Sequence, residues 1–221
     1  MNVKAFIKRA VAHERANPFV TYPCFLLRVA ICRRRYRVKV RECCRKVRSG
    51  QKIKVLFLVS NCSKWKAQSL YASMAKSEAF EPVLGVTFCD DELFLPVGEL
   101  QDRINNDCAF YDRLGDKWVM ACNVEKRTVI DPRAFSPDIV FFPVPWGLLD
   151  SQNVWPVSKY ALTCYIPYAL ECFDQIRRSR RFDFNHLAHF QQLMWLFVLA
   201  SEDYARYTRE PHYAFERAGA V

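Results

Sequence analysis

The sequence predicts an α/β fold: a parallel β-sheet with flanking helices, preceded by a basic helical segment at the N-terminus. Three observations carry this reading. Short β-branched, fully apolar runs alternate with segments of helical period, the pattern of a parallel sheet buried on both faces. The first such run, Ile53 to Val59, passes through a polar loop straight into a helical pattern. And the charge is lopsided: residues 1–52 hold fifteen of the 33 Lys/Arg but only two of the 23 acids, Glu14 and Glu42.

Taken in order, residues 1–50 read as helical and basic. Val3, Phe6, Ile7, Ala10 and Val11 recur at helical spacing. Asn17-Pro18 breaks this first element, because the residue before a proline is pushed out of the α region. A second helical part carries Arg33, Arg34, Arg35, Arg37, Lys39, Arg41, Arg45, Lys46 and Arg48, and Ser49-Gly50 stops it. The apolar run Phe19 to Cys32 is too short for the roughly 20 residues of a membrane span, and Pro23 and Arg28 interrupt it. At Lys52 the pattern changes. Ile53 to Val59 predicts the first strand, and Ser60-Asn61-Cys62-Ser63 a turn with Ser63 as N-cap. Trp65, Leu70, Met74 and Ala75 predict a helix up to Phe80. Pro82 to Phe88 predicts the next strand, followed by Asp90-Asp91-Glu92.

Val97, Leu100, Ile104 and Phe110 place a helix over 97–114. Trp118 to Cys122 and Thr128 to Ile130 are shorter strand candidates. Ile139 to Phe142 predicts a fully apolar strand, and Tyr160 to Ile166 the last clear one. Residues 185–207 read as one long helix or a broken pair. The expected organisation is therefore a basic helical arm over 1–50 and one α/β domain over 51–221. Ligands of such sheets bind beyond the carboxyl ends of the strands, which selects the loops 60–66, 89–92, 143–147 and 165–171.

Composition narrows the class. Half of the residues are hydrophobic (51%), enough for one substantial core. Beyond residue 52 the charge is nearly balanced, 18 basic against 21 acidic, so a nucleic-acid footprint over the whole domain is not expected. There is no CxxC pair among the ten cysteines, and Cys62, Cys89, Cys122 and Cys164 sit in or beside apolar runs. They read as free thiols in a reducing compartment, with no disulfide scaffold. Only Cys43-Cys44 are neighbours, and adjacent residues rarely ligate one tetrahedral ion, so no metal site is expected.

Three segments carry a resemblance. Leu58 to Tyr71 (LVSNCSKWKAQSLY) resembles the first strand and loop of bacterial CDP-glycerol glycerophosphotransferase-like proteins. Pro137 to Phe142 with Pro145-Trp146, and Ala161 to Tyr168, are similar to two further segments of that family, in the expected order. The resemblance implies one Rossmann-like half of a GT-B architecture: the acceptor-side domain of a transferase that builds cell-surface polysaccharide or a teichoic-acid-type polymer. It implies that the CDP-activated donor binds a second domain, which this chain does not include, and that the chain alone is inactive. No cofactor is expected in the chain itself. The implied partner is a lipid-linked or polymeric acceptor, and the implied location is cytoplasmic, peripheral at the inner face of the cell membrane. The sequence departs from the pattern at Tyr168-Ala169, where Tyr-Gly is usual, and at Pro143-Val144, where polar residues are usual.

Read as chemistry, the loop Ser60 to Lys66 joins a strand to a helix N-terminus, where free N–H groups and the helix dipole favour an anion. Ser60, Asn61, Ser63, Lys64 and Lys66 are its candidate substrate contacts; the alternative is that Ser63 merely caps the helix and the lysines are solvated. Trp146 and Tyr168 are candidates for lining the cleft, whereas Tyr165 reads as core packing. Asp90 and Asp91 are candidates for the base that an inverting transfer requires, against the commoner reading of a solvated acidic loop. Arg33, Arg34, Arg35, Arg37, Lys39 and Arg41 are the expected contacts to an anionic membrane surface. The rival function is a non-catalytic basic α/β module that binds anionic membrane or nucleic acid.

Overall fold

The computed structural model describes residues 18–144, 147–167, 190 and 192–198, with side chains from Phe25 onward. Six strands form a parallel sheet. β1 (Ile53–Val59) lies in the middle, β2 (Phe80–Val86) and β3 (Trp118–Met120) on one side of it, and β6 (Ile139–Phe142), β7 (Leu162–Tyr165) and β8 (Leu196–Phe197) on the other. β4 (Cys122–Asn123) and β5 (Thr128–Val129) form a separate antiparallel hairpin. Every pairing within the large sheet is parallel. The order 3-2-1-6-7-8 winds outward in both directions from β1, so the winding reverses between β1 and β6. This is the Rossmann-like arrangement that the alternating pattern predicts.

Parallel strands in such a sheet need cover on both faces, and these have it. All four residues of β6 and of β7 are buried, as are six of the seven in β1. By register, Leu56, Val140 and Thr163 share one face, and Phe57, Phe141 and Cys164 the other. The second face is aromatic: Phe57 stacks on Phe141 at 4.5 Å and meets Tyr71 of α2 (Gln68–Lys76) edge-on at 5.8 Å.

The first face is covered by α1 (Pro18–Arg48), which opens on a proline where a missing N–H is tolerated. The helix ends at the expected Ser49-Gly50, where Gly50 takes φ 72°. Val29, Cys32 and Tyr36 are buried in the same core as the strands. The Tyr36 hydroxyl donates to Leu193 O at 2.5 Å and lies 2.7 Å from Thr163 Oγ1, which in turn accepts from Trp195 N–H at 3.2 Å. One helix thereby fixes both β7 and the approach to β8. The segment that reads in sequence as a basic arm is, over its described length, a structural layer of the sheet.

Asp138, just before β6, pins this layer. Its carboxylate is almost wholly buried and accepts from Lys46 Nζ at 2.8 Å, from Lys39 Nζ at 3.1 Å and from Lys54 N–H at 3.1 Å. Burial opposes its ionisation, but the hydrogen bonds from Lys46, Lys54 and Lys39 outweigh it and hold the carboxyl below its ordinary range. Lys39, expected at a membrane surface, is thus turned inward.

Other boundaries also differ from the sequence reading. Trp65 precedes α2, which starts at Gln68. β2 starts at Phe80, ahead of Pro82. That proline is tolerated because β3 pairs only with Leu84 to Val86, leaving the first half of β2 an edge. Within the predicted helix 185–207, the described residues Leu196-Phe197 form a strand on β7. The helix α3 (Val97–Leu114) agrees with its expected span and ends at Gly115 with φ 70°.

Replacing Asp138 by Asn is expected to lower the unfolding free energy by about 2–4 kcal/mol, because two lysines lose their buried counter-charge. The native carboxyl titrates below its unfolded value, so its contribution is present above the unfolded pKa of about 4 and disappears as pH falls through the native one. Urea unfolding of both proteins across pH 2–7 should show the difference shrinking only at the acid end.

Candidate functional site: a crevice where the winding reverses

The carboxyl ends of β1, β6 and β7 open into a crevice with a volume of about 40 Å³, between the two directions of winding. A single water needs roughly 10–15 Å³ by the same kind of measure, so the space admits a group larger than one water. Ser60, Asn61, Lys64 and Lys66 line it from β1, and Phe142 and Ile166 face them. The open side is cationic and the floor is apolar.

The loop that carries these residues is built locally. Asn61 is extended and its side chain accepts from Ser63 N–H at 2.8 Å, so Asn61, not Ser63, caps the 3-10 turn Cys62–Lys64. The expected N-cap role of Ser63 is corrected accordingly: Ser63 is exposed and outside the crevice lining, because α2 starts a full turn later. Trp65 leaves the turn to pack edge-on against Phe57 at 5.7 Å and Tyr111 at 6.1 Å, and its Nε1–H donates to Gln68 Oε1 at 2.6 Å. That anchor leaves Lys64 and Lys66 on either side of a fixed indole. Ser60 Oγ is buried in the crevice wall without a nitrogen or oxygen partner among the described residues. Nearby, burial pushes the Cys89 thiol up to about 11, against the opposing influence of the Ser60 hydroxyl, so the thiol stays protonated at neutral pH.

A second set of residues, of which the sequence singled out only Glu92 as part of an acidic cluster, holds the loop in place. The guanidinium of Arg103 on α3 donates to Ser60 O at the end of β1 and to Thr87 O just beyond β2, and to Asp107 Oδ2 at 2.6 Å. Its Nε lies 2.9 Å from Glu92 Oε1. Buried Asp107 accepts Cys62 N–H at 2.8 Å through its other oxygen, and Glu92 accepts Cys89 N–H at 2.8 Å. One arginine therefore ties two strand ends and two following loops to a helix. The signal in sequence was an i,i+4 Arg-Asp pair among Leu100, Ile104, Cys108 and Tyr111, on the apolar face of α3.

Asp90 and Asp91 are exposed and do not line the crevice. Asp90 N–H donates to Gly147 O at 2.9 Å, and its carboxylate packs so closely on Gly147 that a Cβ there would sit 2.4 Å from Oδ1. Cys89, Asp91 and Glu92 bring ligand-type atoms within 4.8 Å of one another, but Glu92 is already engaged by Arg103, whose charge opposes a cation. Trp146 and Tyr168 lie outside the described residues. Tyr165 is buried core, edge-on to Phe190 at 5.3 Å, as its position in the last strand suggested. The eight cysteines with described side chains are free thiols.

Compared with known proteins, the chain matches no family model, no curated protein and no solved structure. What fold and site define is a class: a Rossmann-like α/β protein with a cationic crevice where the strand order reverses.

Removing the Asp107 carboxylate leaves the Cys62 amide without its acceptor and Arg103 short of a counter-charge. Asp107→Ala is expected to cost about 2–4 kcal/mol. Amide hydrogen exchange at Cys62 should speed up more than at Phe57 in the strand interior; equal acceleration at both would mean that the pair serves global stability only.

Proposed function

We propose that the crevice at the end of β1 binds the phosphate of an anionic acceptor, and that the chain is the acceptor-side half of a CDP-glycerol glycerophosphotransferase-like transferase. The observation that carries this reading is the meeting of Lys64, Lys66, Asn61 and Ser60 in one crevice at the reversal of strand order. Ligands of open parallel sheets bind at that point. Lysines supply charge-assisted hydrogen bonds to phosphate oxygens, and the start of α2 adds N–H groups and a favourable dipole.

In this reading the crevice orients a phosphate-bearing polyol chain and keeps its terminal hydroxyl at the open edge. That hydroxyl attacks the glycerol-bearing phosphorus of a CDP-linked donor held by a second lobe; the new P–O ester forms as the pyrophosphate P–O bond breaks, CMP leaves, and the hydroxyl proton passes to solvent. Orientation and electrostatic stabilisation are what this half contributes to the rate. The loop 60–66 suits the task because the Arg103 clamp removes its freedom before the ligand arrives, so little ordering cost falls on binding. The absence of a GxGxxG pattern at this loop argues against a dinucleotide as occupant.

Titration with glycerol 3-phosphate and with a short polyol-phosphate oligomer, followed by backbone NMR, is expected to shift amides at 60–67 and at 142–143. The double variant Lys64→Ala/Lys66→Ala should weaken binding by about a hundredfold or more, since charge-assisted hydrogen bonds contribute roughly 1.5–3 kcal/mol each. Shifts confined to other loops, or a double variant that binds as well as the parent, would overturn the assignment.

A further inference from the structure

We propose that the outward face of α1 is a docking surface for an anionic phospholipid bilayer. This stands on the helix alone and goes beyond the crevice assignment.

The structure sorts the basic residues of α1 into two populations. Lys39 and Lys46 point inward to Asp138, and Arg28 and Arg35 lie over the Trp155 ring at 5.1 and 4.7 Å. Arg33, Arg34, Arg37, Arg41, Arg45 and Arg48 are exposed. They follow one another at steps of one, three and four residues, which keeps them on one side of the helix, away from buried Val29, Cys32 and Tyr36. From Arg33 to Arg48 this ridge runs about 22 Å at 1.5 Å per residue. Glu42 is the one acid in α1 and is paired with Lys39 at 3.3 Å, so nothing on the helix neutralises the ridge.

Charge complementarity calls for a polyanion. The apolar residues on the same exposed surface decide which kind. Leu26, Leu27 and Val38 are 44%, 56% and 51% exposed. A helix lying in a bilayer interface needs aliphatic side chains to bury below the headgroups and arginines to meet the phosphates. Arginines serve either polyanion, but a single-stranded nucleic-acid surface would add aromatic rings for base stacking, and no described side chain on the exposed face of α1 is aromatic. No described helix is long and apolar enough to cross a membrane, so the contact is interfacial.

The test is flotation of the full chain with phosphatidylcholine vesicles, with and without phosphatidylglycerol, at low and high salt. Binding is expected only with the anionic lipid. Arg34→Gln, Arg37→Gln, Arg41→Gln and Arg45→Gln should each lower the partition coefficient about fivefold, a juxtamembrane charge being worth roughly 1 kcal/mol. Lys39→Gln should leave partitioning unchanged although it destabilises the fold. Leu26→Ser/Leu27→Ser should lower partitioning at low salt and abolish it at high salt, where screening removes the remaining electrostatic part. Equal effects of Lys39→Gln and Arg41→Gln, parental flotation of a variant that combines all four Arg→Gln substitutions, or tighter retention on duplex DNA than on the anionic vesicles would each overturn the proposal. Lys64→Ala/Lys66→Ala should float like the parent, which keeps failure here distinct from failure at the crevice.

Discussion

The constraint from which the rest follows is that β1, β6 and β7 have no face for water. Side chains alternate across a sheet, so a run such as Leu56, Phe57 and Leu58 needs apolar cover above and below. On one side that cover is α1. A helix so rich in arginine would be marginal alone; the buried stripe of Val29, Cys32 and Tyr36 holds it to the sheet. Once that stripe is fixed, the helix period leaves no choice for the remaining residues. Lysines at the flank meet Asp138, and arginines on the far side meet solvent.

The same constraint leaves the strand ends as the place where polar chemistry can gather. There the backbone stops pairing and its groups need other partners. Arg103 meets that need for Ser60 O and Thr87 O together, and Asp107 meets it for Cys62 N–H. A half-buried guanidinium with two carboxylates around it costs desolvation, which makes the arrangement poor as a source of stability and good as a fixture of geometry. It sets the loop 60–66 at the reversal of strand order, with its lysines on the rim of the crevice.

Much of this was legible in residues. The apolar run Ile53 to Val59, the strand Ile139 to Phe142 and the helix 97–114 follow from period and flanking breakers, because each is long or apolar enough to admit one pattern. The loop Ser60 to Lys66 was legible as a strand-to-helix joint. Its internal layout was not: Ser63 reads as a cap, yet the cap is Asn61, because a 3-10 turn intervenes before α2. Trp65 fits a helical interval and instead anchors that turn against Phe57 and Tyr111. The pair Leu196-Phe197 is too short for any period to reveal; only its place beside β7 makes it a strand.

The sequence alone determined that the chain makes a parallel α/β sheet, where its main strands run, and that its positive charge is concentrated before residue 53. These are local properties, written in apolar period and in composition. Tertiary structure decided which of those charges face solvent, which carboxylates are buried beside them, and which strand ends share a crevice. Those depend on contacts such as Lys46 with Asp138, 92 residues apart in the chain, and Arg103 with Ser60, 43 apart. No window along the sequence contains both partners of either contact.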